Sequence, residues 1–177
     1  MSGVARTTAL GLALLLAACG RAPEPDAAAA TQIPASPSSA AGLAGRGPEV
    51  DVTIGMHRVR AEVADTLALR RRGLSGRRDL PPGRGMLFPY APPTRPSFWM
   101  PDMHFPIDIV WIRDGRIVDL HVDVPHEVRP PLPTYQPSVP IDWVLEVPAG
   151  TARELGWRIG DPVESSPTPE FRADARP

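Results

Sequence analysis

Hydrophobic and polar residues alternate in two short segments, Glu49 to Ile54 and His57 to Val63. A period of two is typical of half-buried β-strands, because successive side chains of a strand point to opposite faces. Gly55-Met56 separates the segments and favours a tight turn. The pattern therefore predicts a β-hairpin.

A short helix is predicted after this hairpin, ending at Arg72. Asp65 or Thr66 can cap its N-terminus, because their side-chain oxygens accept hydrogen bonds from free backbone N–H groups. Gly73 is a typical helix stop.

The later part of the chain contains short apolar runs bounded by proline and glycine, which are typical of buried strands. Asp114-Gly115 separates two of them and is the strongest hairpin signal in the chain. A helix of one to two turns is predicted at Thr151 to Leu155. The predicted strands are Gly85–Tyr90, Ser97–Met100, Ile107–Ile112, Arg116–Val124, Asp142–Val147 and Asp161–Glu164.

All ten aromatic residues lie at Phe88 or later, so we expect the core to centre on the later strands, with the first hairpin and helix packed onto it. An open sheet would leave unpaired edges that need cover. We therefore predict a mainly β (α+β) fold, a small, partly closed β-barrel-like domain with one or two short helices.

Both ends of the chain differ in composition from the part that contains the predicted strands. The 177 residues include 24 prolines and 15 glycines, and the segment from Gly20 to about Pro48 has no aromatic residue. Such a segment buries too little apolar surface to offset its ordering entropy. We predict a signal peptide over residues 1–18, a flexible tether over 19–48, one globular domain over 49–165 and a flexible tail over 166–177.

The N-terminus predicts export. Its apolar run, Ala9 to Leu16, is too short to cross a bilayer as a helix. Leu16-Ala17-Ala18-Cys19 resembles the lipobox of bacterial lipoproteins, which implies that Cys19 is lipidated and anchors the protein to a membrane. The alternative is an ordinary signal peptide with a chance cysteine. By the same resemblance, Gly20 in place of an aspartate favours the outer membrane, with the domain facing the periplasm.

Nine short blocks follow one another between Val63 and Glu164: Ala64-Asp65-Thr66, Arg72-Gly73-Leu74, Gly76-Arg77, Leu80-Pro81, Gly85-Met86-Leu87-Phe88, Phe98-Trp99-Met100, Pro106-Ile107-Asp108-Ile109-Val110, Val144-Leu145-Glu146-Val147-Pro148-Ala149-Gly150 and Gly160-Asp161. In order and spacing they resemble the bacterial and archaeal family called domain of unknown function 192. The resemblance implies a compact, mainly β domain with short helices, often exported and without an established activity.

The chain departs from that family in three places. The family usually carries a Lys-Asn-Thr-like polar segment where Pro101-Asp102-Met103-His104 stands here, and Ser75 replaces a frequent methionine. A proline-rich insertion, Glu127 to Pro140, precedes the Asp142 strand. If the polar segment is the family's functional loop, its activity is altered or lost in this chain.

Charge is unevenly distributed. Residues 50–100 contain nine arginines and four acidic residues, whereas residues 101–165 contain five arginines and eleven acidic residues. One interpretation is that the arginines form a solvated basic surface and make ion pairs with acidic residues of the segment 101–165. The other is a site for an anionic ligand or lipid head group, because guanidinium groups bind carboxylate and phosphate in bidentate fashion. Export and the lack of interleaved aromatics exclude a nucleic acid partner. The clustered arginines are Arg70, Arg71, Arg72, Arg77, Arg78 and Arg84.

The loop between Pro101 and Pro106 is a candidate pocket rim, because prolines restrict its shape and aromatic residues precede it. Asp108 could instead be a structural carboxylate that accepts backbone N–H groups, and Trp99 could belong to the core. The candidate ligand-binding residues are Arg77, Trp99, Asp102, Asp108 and Glu146.

Metal ligands are weakly indicated. Met103 and His104, with Met100 and Met86, are of the types that bind copper, but their spacing is not diagnostic. Asp119, His121 and Asp123 alternate on one strand face, where they could chelate a cation or simply form its hydrated side. We predict neither a bound metal nor a cofactor.

Catalysis is weakly supported. Gly73-Leu74-Ser75-Gly76 lacks the spacing of a nucleophile elbow, and lipidation leaves no free thiol, since Cys19 is the only cysteine. Asp108 and Glu146 could form a carboxylate pair, but sequence gives no separation. We therefore expect a lipid-anchored envelope protein that binds an anionic ligand, an envelope component or a protein partner without catalysis. The alternatives are a hydrolase using Asp108 and Glu146, or a periplasmic copper-binding protein.

Overall fold

The computed structural model describes residues 46–126, 130–170 and 172. The predicted signal peptide, Cys19 and most of the predicted tether lie outside the described residues. The elements are β1 Glu49–Ile54, β2 His57–Val63, α1 Leu67–Arg72, β3 Arg84–Thr94, β4 Ile107–Arg113, β5 Arg116–Val124, β6 Ile141–Pro148, α2 Thr151–Glu154 and β7 Val163–Ser166. In this described part, no helix has the length and apolar character needed to cross a membrane.

The seven strands form one curled sheet in the order β5-β4-β6-β3-β2-β1-β7. Neighbouring strands are antiparallel except β2 and β3, which are parallel, and α1 lies in the connection between them. The chain leading into β7 hydrogen-bonds to the start of β5, with Ile117 N–H donating to the Asp161 carbonyl at 3.0 Å. The two edges thus meet at one end, which confirms the predicted half-closed, mainly β fold.

Apolar side chains bury both faces of this sheet. Leu87, Leu145 and Val110 face one another on neighbouring strands and belong to the larger core. Phe88 and Trp111 lie on the opposite face, in the second core. The first hairpin is part of the sheet itself and supplies buried residues to the larger core, rather than packing onto it as expected.

Local signals place α1 as predicted. Thr66, not Asp65, caps it: the Leu69 N–H donates to Thr66 Oγ1 at 3.3 Å. Gly73 ends the helix with φ of 51°, a conformation that favours glycine. Because the helix is this short, its three consecutive arginines all lie at its C-terminal end.

One predicted strand is wrong. The run Ser97–Met100 is not a strand, because Phe98 is its only residue that forms a bridge, to Tyr135. Pro101 follows and has no N–H with which to continue a ladder. At the C-terminal end of the described residues, β7 extends to Ser166, and the Arg172 N–H donates to the Asp65 carbonyl at 2.9 Å.

Candidate functional site

A pocket of about 440 Å³ lies beside α1, above the face of the sheet that carries the second core. Strands β3 and β6, the end of α1 and residues 97–101 form its walls. Its lining combines three arginines, four aromatic rings and one carboxyl group: Arg70, Arg71, Arg72, Phe88, Tyr90, Phe98, Trp99 and Glu146.

The aromatic wall is held by edge-to-face packing. Phe98 packs against Phe88 and Trp111, with ring centroids 5.2 and 5.4 Å apart. Backbone hydrogen bonds in both directions tie Phe98 to Tyr135 of the proline-rich insertion, at 2.9 and 2.8 Å. Contacts within the protein therefore hold this wall in place. Trp99, a candidate ligand-binding residue, is 55% exposed and lines the pocket.

Glu146 lies in an apolar part of the pocket. On the sheet it is paired with Met86 on one side and Ile109 on the other, both fully buried. The side chain is 6% exposed, and its Oε2 atom has no hydrogen-bond partner among the described residues. Burial raises the pKa of Glu146 to about 8, although the positive charge of Arg77 lowers it. At pH 7 the carboxyl group is therefore mostly neutral and can donate a hydrogen bond.

Arg70 stacks on Tyr90, with its guanidinium carbon 4.2 Å from the ring centroid. Burial raises the pKa of Tyr90 to about 12, an effect that the positive charge of Arg70 opposes. Burial also lowers the pKa of Arg70, while Tyr90 raises it. This side of the pocket thus presents a cation on an aromatic face and a phenol that stays protonated at neutral pH.

The arginine cluster of the sequence divides into two groups. The three of α1 line the pocket, whereas Arg77, Arg78 and Arg84 line a separate polar cleft of about 310 Å³. Arg77, a candidate ligand-binding residue, is paired with the buried Glu62 at 2.7 Å. Arg84 forms an ion pair with Glu49, and that contact is the main cause of the lowered pKa of Glu49.

Asp108 has the structural role that the sequence left open. The carboxylate is fully buried and accepts three backbone N–H groups, from Asp123 at 2.8 Å, Gly150 at 3.1 Å and Ala152 at 2.8 Å. Glu146 is paired with Ile109, the next residue along β4, so Asp108 and Glu146 project to opposite faces of the sheet. The structure does not bring the two carboxyls together, and a hydrolase that uses this pair is not supported.

The loop that the sequence indicated as a pocket rim contributes only its first residue, Pro101. Asp102 has an exposed side chain, and its Oδ1 lies 3.9 Å from His104 Nε2. Met103 is buried in the second core together with Met86 and Met100. The copper ligands suggested by the sequence are thus divided between a core and an exposed surface.

The alternating polar residues of β5 each have a partner of their own. Asp119 accepts the N–H groups of Leu120 and Ser138, and Asp123 pairs with Arg153 at 3.0 Å. His121 accepts a hydrogen bond from Trp111 Nε1 at 2.8 Å. Among the residues that the structure describes, there is no group of three or more His, Cys, Asp or Glu that could hold a metal ion.

Of the four aromatic residues that line the pocket, the sequence indicates only Trp99 as a ligand-binding candidate and not Phe88, Tyr90 or Phe98. Phe88 and Tyr90 are two residues apart on β3 and so share a face with Met86. This spacing is visible in the sequence. No local feature of the sequence, however, indicates that this face of β3 contacts Glu146 and the end of α1. For the cluster of Arg70, Arg71 and Arg72 the sequence offers an anion site as one interpretation but does not indicate where that site lies.

A curled seven-stranded sheet with a preformed pocket beside a short crossover helix defines a small, mainly β pocket-bearing domain. The chain belongs to the domain of unknown function 192 family, described as "Uncharacterized ACR", whose family model matches residues 50–165. A comparison with curated proteins finds no match.

Solved structures that are similar to this chain include those of two bacterial proteins. One is a protein of unknown function from Novosphingobium aromaticivorans DSM 12444, with 33% identity and a TM-score of 0.58, covering 66% of this chain and 83% of that one. The other comes from Sinorhizobium meliloti 1021 and is provisionally described as a transcription regulator. It has 31% identity and a TM-score of 0.59, covering 67% of this chain and 92% of that one.

Proposed function

We propose that this protein is a binding module for a small anion that carries an apolar ring, held in the pocket beside α1, without catalysis. The observation that carries the proposal is the composition of that pocket: Arg70, Arg71 and Arg72 beside the rings of Phe98 and Trp99. Guanidinium groups complement carboxylate or phosphate, and aromatic walls complement a planar apolar group.

The charge of the neighbouring groups supports an anion over a cation. The only carboxyl group among the described lining residues is that of Glu146, which is mostly neutral at pH 7 because burial raises its pKa to about 8. Tyr90 is also neutral there, since its pKa is raised to about 12. The arginines therefore give the lining a net positive charge.

The absence of catalysis in this proposal rests on the arrangement of the polar groups. Ser75 Oγ donates to the Pro101 carbonyl at 2.8 Å, so this hydroxyl has a structural partner. Asp108 is on the opposite face of the sheet from Glu146 and cannot act with it. A single neutral carboxyl in an aromatic pocket can recognise a ligand without a partner for acid–base chemistry.

The envelope location belongs to the same proposal and is supported by sequence. The lipobox-like ending at Cys19 supports lipid anchoring, and Gly20 supports the outer membrane, with the domain in the periplasm. An anchored module there would meet small anions that enter the envelope, and the membrane would be its partner through the acyl chains.

Isothermal titration of the full-length protein in phosphatidylcholine nanodiscs tests the binding function. The probes are phenyl phosphate and benzoate, which combine a ring with a negative charge. Inorganic phosphate carries the charge without the ring, and benzyl alcohol carries the ring without the charge. We expect binding of the two probes that combine ring and charge. Trp99→Ala and Arg71→Gln should each weaken it by about tenfold, because each removes one contact from the exposed side of the pocket.

Arg58→Gln is the matched control, because Arg58 is exposed on β2 and forms a 3.7 Å ion pair with Asp51, outside the pocket lining. It should leave the affinity unchanged. Failure of both ring-bearing anions to bind, or an equal loss in the control variant, would contradict the proposal.

A further inference from the structure

The geometry points to Glu146 as the group that sets ligand specificity: we propose that the pocket selects anions whose end remote from the charge is a hydrogen-bond acceptor. The inference rests on the proposed function and adds the chemistry of the ligand's buried end. An aromatic carboxylate or phosphate that carries a carbonyl group at its other end is an example of this ligand class.

The first support is an unsatisfied polar atom. Glu146 is more than nine-tenths buried, lines the pocket, and its Oε2 has no hydrogen-bond partner among the described groups. Buried polar side chains nearly always have a partner, because an unmade hydrogen bond in an apolar environment is costly. An acceptor on a bound ligand would supply that partner.

The second support is that the pocket holds its charged and neutral polar groups on different elements. The arginines come from α1, whereas Glu146 comes from β6, where its sheet neighbours are Met86 and Ile109. A ligand with its anionic group against the arginines therefore places another part near Glu146. That part meets the mainly apolar surface around the Glu146 carboxyl.

The third support is the charge state of everything that faces Glu146. From α1 these groups are Arg70, Arg71 and Arg72, and from β3 the group is Tyr90. Arg77, in the segment after α1, acts on Glu146 through its charge and is itself paired with Glu62 of β2. Burial raises the pKa of Glu146 to about 8, so this carboxyl changes its charge between pH 6 and 9.

Ionisation of Glu146 should therefore reverse its effect on the ligand. Below pH 8 the protonated carboxyl donates a hydrogen bond to the acceptor. Above that pH it has no proton to donate, and its negative charge repels both the acceptor and the anion. Selectivity for the acceptor should accordingly be lost as pH rises through about 8.

A pair of shape-matched probes tests this inference. 4-Acetylbenzoate carries an acceptor-only carbonyl opposite its carboxylate, and 4-isopropylbenzoate has a similar shape without the acceptor. Titration of the full-length protein in nanodiscs should show about tenfold tighter binding of the acetyl compound at pH 6.5, as one buried hydrogen bond provides. At pH 9.5 this preference should disappear.

Two variants separate hydrogen bonding from shape. Glu146→Gln keeps an N–H donor that does not titrate, so the preference should persist at both pH values. Glu146→Leu has no donor, so the preference should vanish while 4-isopropylbenzoate still binds.

The outcomes distinguish this inference from the proposed function. Equal affinity of the wild type for the two probes at pH 6.5 would overturn the role of Glu146 and leave the anion-binding function intact. Binding of neither probe would overturn the anion-binding function, and the inference with it. A preference that persists in Glu146→Leu would assign the selectivity to another group and overturn the inference alone.

Discussion

Asp108 and Glu146 lie on neighbouring strands of one sheet and project to its opposite faces. Glu146 is paired with Ile109, the residue next to Asp108. Because neighbouring residues of a strand point to opposite faces, this offset of one residue places the two carboxyl groups in different environments. Asp108 accepts three backbone N–H groups, whereas Oε2 of Glu146 has no partner among the described groups. The Asp108 carboxylate therefore stabilises the fold, and the Glu146 carboxyl is available to bind a ligand in the pocket.

Glu146→Gln should stabilise the protein increasingly as pH rises from 5 to 8. Burial raises the pKa of Glu146 from an ordinary 4.5 to about 8, so the folded state keeps a proton that the unfolded state releases. Between these pKa values the wild type loses up to about 1.4 kcal/mol of stability per pH unit from this group. Glutamine does not titrate and avoids that loss.

Urea unfolding of both proteins at pH 5, 6, 7 and 8 measures the effect. Glu164→Gln is the control, because Glu164 is exposed on β7. The stability of this variant should follow that of the wild type at every pH. Parallel pH profiles for Glu146→Gln and the wild type would show that the carboxyl is not held neutral by burial.

Asp108→Asn should destabilise the domain by roughly 3 kcal/mol or more. The amide keeps one acceptor oxygen but turns an NH₂ group towards backbone N–H donors that the carboxylate now satisfies. Urea unfolding at pH 7 checks the loss. Asp102→Asn is the matched control, because Asp102 is exposed and asparagine tolerates its φ of 52°. A loss below about 1 kcal/mol in Asp108→Asn would contradict the structural role.

Arg77→Leu should cost about 3 kcal/mol, because it leaves the carboxylate of Glu62, which is 6% exposed, without its cation. The exposed pair of Arg58 and Asp51 provides the comparison, and Arg58→Leu should cost at most about 1 kcal/mol. The double variant Arg77→Leu, Glu62→Leu should recover part of the loss in urea unfolding. No recovery would show that Arg77 acts through packing and not as the partner of a buried charge.

Replacing Cys19 by alanine should abolish lipidation and leave the protein unprocessed or released from membranes, since the lipobox-like sequence has no other cysteine. Metabolic labelling with a radiolabelled fatty acid, followed by membrane fractionation, measures both effects. Ser2→Ala is a control that leaves the cysteine in place. Persistent label on the Cys19→Ala protein would remove the lipoprotein assignment.

Local features were largely predictable from sequence. The first hairpin has its strands at Glu49–Ile54 and His57–Val63, as the alternation predicts, and Gly73 ends α1. These features depend on residues within one turn or one strand of each other. Their backbone preferences and hydrophobic period therefore act before any long-range contact forms.

Sequence by itself determined most of the elements, the mainly β class and the family blocks, whereas tertiary structure decided which side chains meet. The pocket joins α1 with Tyr90 of β3 and Glu146 of β6, and its wall needs the bridge between Phe98 and Tyr135. Such contacts depend on the register between strands far apart in the chain. A change of one residue in that register would exchange the two faces, and only the packing of the whole sheet selects between them.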